Sequence, residues 1–229
     1  MIKNSDYLME SDEFISSRQK ILQFLLVNRS APDKAVLVKD IADELNISIN
    51  AARQYLVNLE KEGLVTRSQR KSPTGRPAMV YSLHESALEK FPKSYVDFTV
   101  KMLTQLKKRF GIELTQDVLE DVGKQIAEEI RPYLKEVLGK NPEEATLDER
   151  IKAVTEILKE YGKFPSLIET ADSYDIQNFN CLVYGVVKEN PLVCKVDETI
   201  MRELIGKKCE KKKCIRDGDE CCLYRVKKD

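Results

Sequence analysis

The sequence predicts a mainly α-helical fold with α+β segments at both ends, and three observations support that prediction. Apolar residues recur every three to four positions through much of the first two thirds of the chain, as in amphipathic helices. One pair of β-prone runs around turn residues lies in the first third, and a second pair closes the chain. From these patterns we expect three domains, at residues 1–90, 91–162 and 163–229.

Composition excludes several classes of protein. The 229 residues carry 38 basic and 38 acidic side chains, so the formal net charge is zero and bulk charge does not favour polyanions. No apolar run approaches the roughly 20 residues of a membrane-spanning helix, and the charged N-terminus is unlike a secretory signal. We therefore expect a cytoplasmic protein without membrane contact.

The motifs of common enzymes are absent from the sequence. A single histidine, His84, makes a two-histidine metal site impossible. Neither a GxxxxGK[ST] loop nor a GxGxxG turn occurs, so the two common phosphate-cradling loops are missing. These absences favour a protein that is not an enzyme.

Local signals in residues 1–90 predict three short helices. Apolar spacing indicates helices at 14–28 and 39–45, and Asn46 supplies the turn residue that ends the second. Ser48 is expected to cap a third helix, which Gly63 ends.

The third helix separates into two faces. Ala52, Leu56 and Leu59 follow each other at helical spacing and are expected to be buried. The exposed side would then carry a group of small and polar residues. Its candidate binding residues are Asn50, Ala51, Arg53 and Gln54.

Two β-prone runs, 64–68 and 78–83, surround Pro73 and Gly75 and predict a hairpin after the third helix. Helices joined by a tight turn and followed by a hairpin resemble the winged helix-turn-helix of bacterial and archaeal transcription regulators. That resemblance implies a DNA-binding domain at 1–90, whose third helix reads base edges and whose hairpin contacts phosphates. The alternative is a small α+β domain with a solvated hairpin. The candidate DNA contacts of the hairpin are Arg67, Arg70, Lys71 and Arg76.

Residues 91–162 are predicted to form a helical linker and dimerisation region. Apolar spacing indicates helices at 94–110, 115–138 and 147–161, with Gly111 breaking the first run. Helix-turn-helix proteins commonly read two half-sites, so we expect a homodimer on a palindromic double-stranded operator. The sequence leaves open which helix forms the dimer interface.

All six cysteines lie in the last 49 residues, which are expected to fold as an α+β hairpin domain. In a cytosolic chain such clustering indicates metal binding or thiol chemistry before structural disulfides. There is no CxxC pair, so a zinc ribbon or finger is not expected. Hairpin pairing would bring Cys214 near Cys222, with Cys181 and Cys194 completing a four-thiolate site that suits an iron–sulfur cluster or zinc.

Three segments resemble the SufR-like regulators of iron–sulfur cluster biogenesis, which are winged-helix proteins of the ArsR/DeoR type. They are the wing at 75–81, the helical segment at 122–128, and the cysteine-bearing end from Asn180 to Tyr224. The resemblance implies a homodimeric repressor whose cluster, expected to be 4Fe–4S, sets DNA affinity from a C-terminal sensor domain. It implies Cys181, Cys194 and Cys222 as ligands. Hairpin geometry favours Cys214 as the fourth ligand, spacing along the chain favours Cys209, and a three-cysteine site with an exchangeable or non-cysteine fourth ligand is the remaining alternative.

Several alternatives remain at this stage for the cysteine-rich end. Zinc or a thiol-redox switch would serve in place of the cluster, and a similarity to the 4-vinyl-reductase type allows a small-ligand-binding or enzymatic domain. The lysines among residues 207–213 would stabilise an anionic cluster, or they would keep a solvated edge strand from aggregating.

Overall fold

A computed structural model describes residues 16–29, 36–72 and 75–228, except for the side chains of residues 71–76. Contacts divide the chain into two compact units, Met1–Lys93 and Ser94–Asp229. The fold is mainly helical with small antiparallel sheets, which confirms the predicted fold class. None of the helices in these described segments is long and apolar enough to cross a membrane.

The described residues of the first unit form three helices and a three-stranded antiparallel sheet of order β1-β3-β2. This arrangement is a winged helix-turn-helix, as predicted. A 3₁₀ turn at Glu85–Lys90 follows the hairpin. The elements are α1 (Ser17–Val27), β1 (Val36–Leu37), α2 (Val38–Leu45), α3 (Ile49–Lys61), β2 (Val65–Ser72) and β3 (Gly75–Leu83).

Local capping explains where these helices begin and end. The Ser16 hydroxyl accepts the Gln19 N–H in a capping box, so α1 begins at Ser17; the predicted start at residue 14 lies outside the described residues. Asn46 has a left-handed φ of 52° and ends α2, and Ser48 Oγ accepts the Ala51 N–H to start α3. These ends agree with the predicted signals.

The second unit carries a four-stranded antiparallel sheet of order β4-β5-β7-β6 with helices packed against it. The sheet joins the predicted pair of strands that closes the chain to the preceding pair, because β5 pairs with β7. The elements are α4 (Tyr95–Leu138), α5 (Leu147–Glu160), β4 (Pro165–Glu169), β5 (Ser173–Asn178), α6 (Tyr184–Val187), α7 (Cys194–Ile205), β6 (Glu210–Lys213) and β7 (Cys222–Lys227).

Two glycines shape α4. Gly111 leaves the helical conformation, with φ 84° and ψ 175°, and divides α4 where the sequence predicts a break. Gly123 permits close packing on α7, because a Cβ at this position would lie 2.7 Å from the Cβ of Thr199.

One hydrophobic core joins α4, α5 and α7 to the sheet. It includes Ile130, Ile157, Met201 and Tyr224, so residues from the expected 91–162 and 163–229 regions share it. The three-part domain division stays a prediction. This packing fixes the start of α7 and the start of β7, where two of the predicted cysteine ligands lie.

Candidate functional site

The predicted base-reading face of α3 is exposed. Asn50, Arg53 and Gln54 are exposed and Ala51 is half-buried, while the opposite face of the helix is at most 1% exposed. The buried residues anchor α3 in the core of the first unit. The helix therefore presents polar side chains on a fixed backbone, which suits contact with an external partner.

The basic hairpin is less uniform than the sequence suggests. Arg67 is exposed on β2, but its Nε lies 2.9 Å from Oε1 of Glu60, so this side chain also joins the hairpin to α3. Arg70 is exposed on the same strand, and strand alternation places it on the opposite face from Arg67. Lys71 and Arg76 lie in the strands, but their side chains fall outside the described residues.

Three of the predicted ligand cysteines meet in the second unit, and we call them the thiol cluster: Cys194, Cys214 and Cys222. Cys194 is the first residue of α7, Cys214 follows β6, and Cys222 begins β7. The Cys214 and Cys222 side chains influence each other's pKa, and the Lys211 ammonium, which also pairs with Glu198 at 3.4 Å, acts on the sulfurs of Cys194 and Cys214. The thiol cluster therefore combines residues from three elements around one lysine.

Backbone N–H groups also act on the thiol cluster. The N–H of Arg216 acts to lower the pKa of Cys214, and the N–H of Ile215 acts to lower the pKa of Cys222. The turn that supplies them is closed by Asp219, whose Oδ2 accepts the Cys214 N–H at 2.8 Å. Donors arranged in this way stabilise negative charge on sulfur.

These surroundings separate the ionisation of the three thiols. Burial raises the pKa of Cys194, and it raises the pKa of Cys222 to about 11. Burial also acts to raise the pKa of Cys214, but the N–H of Arg216 and the charge of Lys211 lower it below the usual thiol value. Cys214 is therefore the member that ionises most readily.

The other cysteines have different surroundings. Cys181, a predicted ligand, packs against a small apolar cluster that includes Leu103 and Val187 and that Cys194 also touches. Cys209, the alternative fourth ligand, donates its thiol to the Lys207 carbonyl at 3.3 Å, and burial raises its pKa to about 12. Cys221 is buried, and the charges that act on it come from Lys213, Asp219 and Glu220.

The thiol cluster has donors of the kind that bind metals, but its sulfurs are not placed around one. Within the described segments, no group of three or more His, Cys, Asp or Glu side chains is placed where it could already hold a metal ion. The chemistry of the thiol cluster nevertheless fits a soft cation or an iron–sulfur cluster, since it offers three sulfurs with N–H and ammonium donors around them. Binding would have to draw these sulfurs closer together.

A cavity of about 490 Å³ opens beside the thiol cluster. Cys194 and Cys214 line it together with the cationic residues Lys211 and Arg216. Lys211 acts on the sulfurs, whereas Lys212 pairs with Glu210 at 2.7 Å on the edge strand β6. The lysines of this run therefore have different surroundings, and both interpretations of them stay predictions.

Sequence reasoning missed a buried polar network behind the thiol cluster. The fully buried Tyr224 donates its hydroxyl to Oδ2 of Asp197 at 2.8 Å, and Lys163 forms an ion pair with the same carboxylate. Burial raises the pKa of Tyr224 well above its usual value. The three residues lie far apart in sequence, so no local pattern could have joined them.

Fold and site together define a class: a winged helix-turn-helix unit followed by an α+β unit with a thiol cluster. The chain belongs to the Methanogen output domain 1 family, whose model matches residues 98–227, more than half of the chain. Residues 17–79 match the model described as FaeA-like protein. Neither family is the SufR-like one that sequence analysis indicated. No curated protein matches the chain.

Similar solved structures include a possible transcriptional regulator from Methanosarcina mazei Go1, with 14% identity and a TM-score of 0.28, covering 44% of this chain and 82% of that chain. ZitR of Lactococcus lactis is 22% identical in both a C30S mutant and a wild-type DNA complex, with TM-scores of 0.28 and 0.27. The two ZitR comparisons cover 54% of this chain and 81% and 82% of ZitR. At these TM-scores nothing about the function of this chain follows.

Proposed function

We propose that this protein is a DNA-binding transcriptional regulator rather than an enzyme, acting as a homodimeric repressor. The observation that carries the proposal is the winged helix-turn-helix with its exposed α3 face, Asn50, Arg53 and Gln54, held by a buried opposite face. Amide and guanidinium groups in this arrangement match the donor and acceptor pattern of base edges in the major groove.

Selection from a random duplex library, followed by binding measurements, tests this proposal. Arg53→Ala is expected to weaken binding to the selected duplex by about 10- to 100-fold and to relax base preference at one position in each half-site. Arg29→Ala is the matched control, because it removes one exposed positive charge at the end of α1. Equal losses and unchanged base preference in both variants would contradict base reading by α3.

A homodimer would place two α3 helices on half-sites one helical turn, or a multiple of a turn, apart. The selected sequences are then expected to contain an inverted repeat. Sedimentation of the DNA complex should give two chains per duplex. A single asymmetric half-site occupied by one chain would contradict the dimer.

We further propose that the thiol cluster sets DNA affinity by holding an iron–sulfur cluster, with Cys181 as a fourth ligand. Cys194, Cys214 and Cys222 would supply thiolates, and a thiolate-held cluster would supply an anionic centre that assembles or disperses with cellular conditions. The chain's own part is to place these sulfurs, balance their charge through Lys211, and donate N–H groups from the turn after Cys214. Zinc is the alternative occupant.

Anaerobic purification with iron, sulfide and zinc analysis tests this sensor. Cys214→Ser and Cys222→Ser are expected to lose the metal, while Cys209→Ser, with its thiol bonded to a backbone carbonyl, is the matched control and should keep it. Iron and sulfide together identify a cluster, and about one zinc per chain identifies zinc. Protein free of metal after reconstitution would contradict both.

A second candidate is a thiol-redox switch, which the side-chain contact between Cys214 and Cys222 favours. Oxidation would join these sulfurs and release two protons and two electrons to a cellular disulfide, which is reduced to two thiols. Mass spectrometry of the oxidised protein should then find a Cys214–Cys222 bond, and DNA affinity should follow its formation.

A further inference from the structure

Asn178 is a buried polar residue that the structure leaves without a partner. It is 1% exposed at the end of β5, and neither its amide nitrogen nor its amide oxygen has a hydrogen-bond partner. An asparagine amide offers two N–H donors and two acceptor positions, and burying them unpaired is costly. Such a group in a folded core calls for an explanation, and a partner that joins it in another state of the molecule is one.

The neighbour of Asn178 across the sheet is Cys222. The two residues are directly paired between β5 and β7, which brings the Cβ atoms of such a pair to about 5 Å. Strand alternation places Asn178 with Tyr174 and Ile176, which belong to the main core, so its side chain lies on the same face as Cys222. The unpartnered amide therefore borders the thiol cluster.

The other polar groups on this face already have partners. Tyr224, two residues beyond Cys222, bonds to Asp197, and Asp197 pairs with Lys163. The N–H of Ile215 already acts on the Cys222 sulfur and favours its charged form. A protonated thiol is a weak acceptor, whereas a sulfur that carries negative charge or binds a cation accepts N–H bonds well.

We infer that Asn178 is a positioning residue of the thiol cluster, whose amide N–H donates to the Cys222 sulfur when that sulfur binds a soft metal cation. The inference rests on the metal-binding form of the proposed function. In the metal-free protein the amide lacks its partner, and in the metal-bound protein it gains one. Asn178 thus contributes to metal affinity without being a ligand.

Cobalt(II) titration under anaerobic conditions tests this role, because sulfur-to-cobalt charge-transfer absorption reports thiolate ligation directly. Asn178→Leu, which is close in volume and apolar, is expected to weaken cobalt binding by about 10- to 100-fold, as loss of a hydrogen bond to a ligand does. The same substitution is expected to raise the melting temperature of the metal-free protein, because it removes an unpaired amide.

Thr199→Val is the matched control. Thr199 lies on α7 with a fully buried hydroxyl that also has no partner, but it packs against Gly123 of α4. Its replacement should leave cobalt affinity unchanged. Asn178→Ser, which keeps a shorter donor, is expected to give an intermediate affinity and serves if the leucine variant does not fold.

The possible outcomes distinguish a failure of the proposed role of Asn178 from a failure of the proposed metal binding. Wild-type cobalt affinity in both Asn178 variants would overturn the role of Asn178 while leaving metal binding in place. Equal losses in the Asn178 and Thr199 variants would also overturn it, since the effect would then be one of packing. Absence of the charge-transfer band in the wild type would overturn the metal-binding proposal and the inference together.

Discussion

The α3 face and the thiol cluster are built in opposite ways. On α3 the candidate residues Asn50, Arg53 and Gln54 come from one helix and are exposed, and the buried face of the same helix holds them in place. The thiol cluster takes residues from the start of α7, the turn after β6 and the start of β7, and its members are buried or half-buried. On α3, the residues proposed to bind DNA are different from the residues that stabilise the fold. In the thiol cluster, the residues proposed to bind metal also belong to the packed interior.

The largest expected effect sharpens this contrast within one helix. Leu56→Ala, at a fully buried position of α3, should lower the free energy of unfolding of the first unit by about 2–5 kcal/mol through the cavity it leaves. Arg53→Ala, three residues away, should stay within about 0.5 kcal/mol of the wild type. Hydrogen exchange read separately in each unit measures both values. Similar losses would show that the exposed face also stabilises the fold.

A smaller effect is expected behind the thiol cluster. Tyr224→Phe removes the hydroxyl that donates to Asp197 and should cost the second unit about 1–3 kcal/mol, because the carboxylate loses a buried donor. Urea denaturation followed by circular dichroism gives the value. Metal affinity measured on the same variant should fall as well, because the same interior holds the thiol cluster in place. Unchanged stability would contradict a stabilising role for the Tyr224 hydroxyl.

Packing between α4 and α7 provides a comparable test. Gly123→Ala introduces a Cβ close to the Thr199 Cβ and the Val196 carbonyl, and should cost about 1–3 kcal/mol through overpacking. Gly139→Ala is the control for replacing a glycine without a steric clash, because no atom lies within 4 Å of the added Cβ. Its φ of 67° adds some backbone strain to this control. A melting curve of Gly123→Ala identical to the wild type would contradict the close approach.

The smallest effect concerns two half-buried ion pairs that join the same helices. Arg202 and then Lys195 lower the pKa of Glu120 to about 2, from 4.5 in the unfolded chain. Because the folded pKa is lower, this stabilisation is present above pH 4.5 and is lost as the pH falls toward 2. Glu120→Gln should therefore differ from the wild type at neutral pH and converge with it in acid. A constant difference in melting temperature would contradict this.

The N-terminal unit was largely predictable because its signals are local. Ser48, Asn46 and Gly63 mark helix ends within a few residues of their effect, and the three buried positions of α3 follow helical spacing. The ion pair between Arg67 and Glu60 was not predicted. Residue spacing within a helix or a strand does not show which charged side chains of the two elements lie next to each other.

The cysteine-rich end was predictable in part. Hairpin pairing indicated the Cys214–Cys222 approach, and Cys194 joins them as expected because α7 begins beside β6. The sequence did not predict the surroundings of Cys181 or the pairing of Asn178 with Cys222. Both depend on how β5 and the segment after it pack against elements that are distant in sequence. Contacts between residues far apart in sequence produce no periodic pattern that a single sequence would show.

The break at Gly111 has a consequence for mutation. Its φ of 84° and ψ of 175° lie in a region that is essentially reserved for glycine, and open space surrounds the position of a Cβ. Every amino acid reachable from a glycine codon by one nucleotide change carries a Cβ, so each would strain the backbone even though none would meet a neighbour. Natural variation at residue 111 would thus be filtered by the backbone alone, a constraint that a map of side-chain contacts cannot reveal.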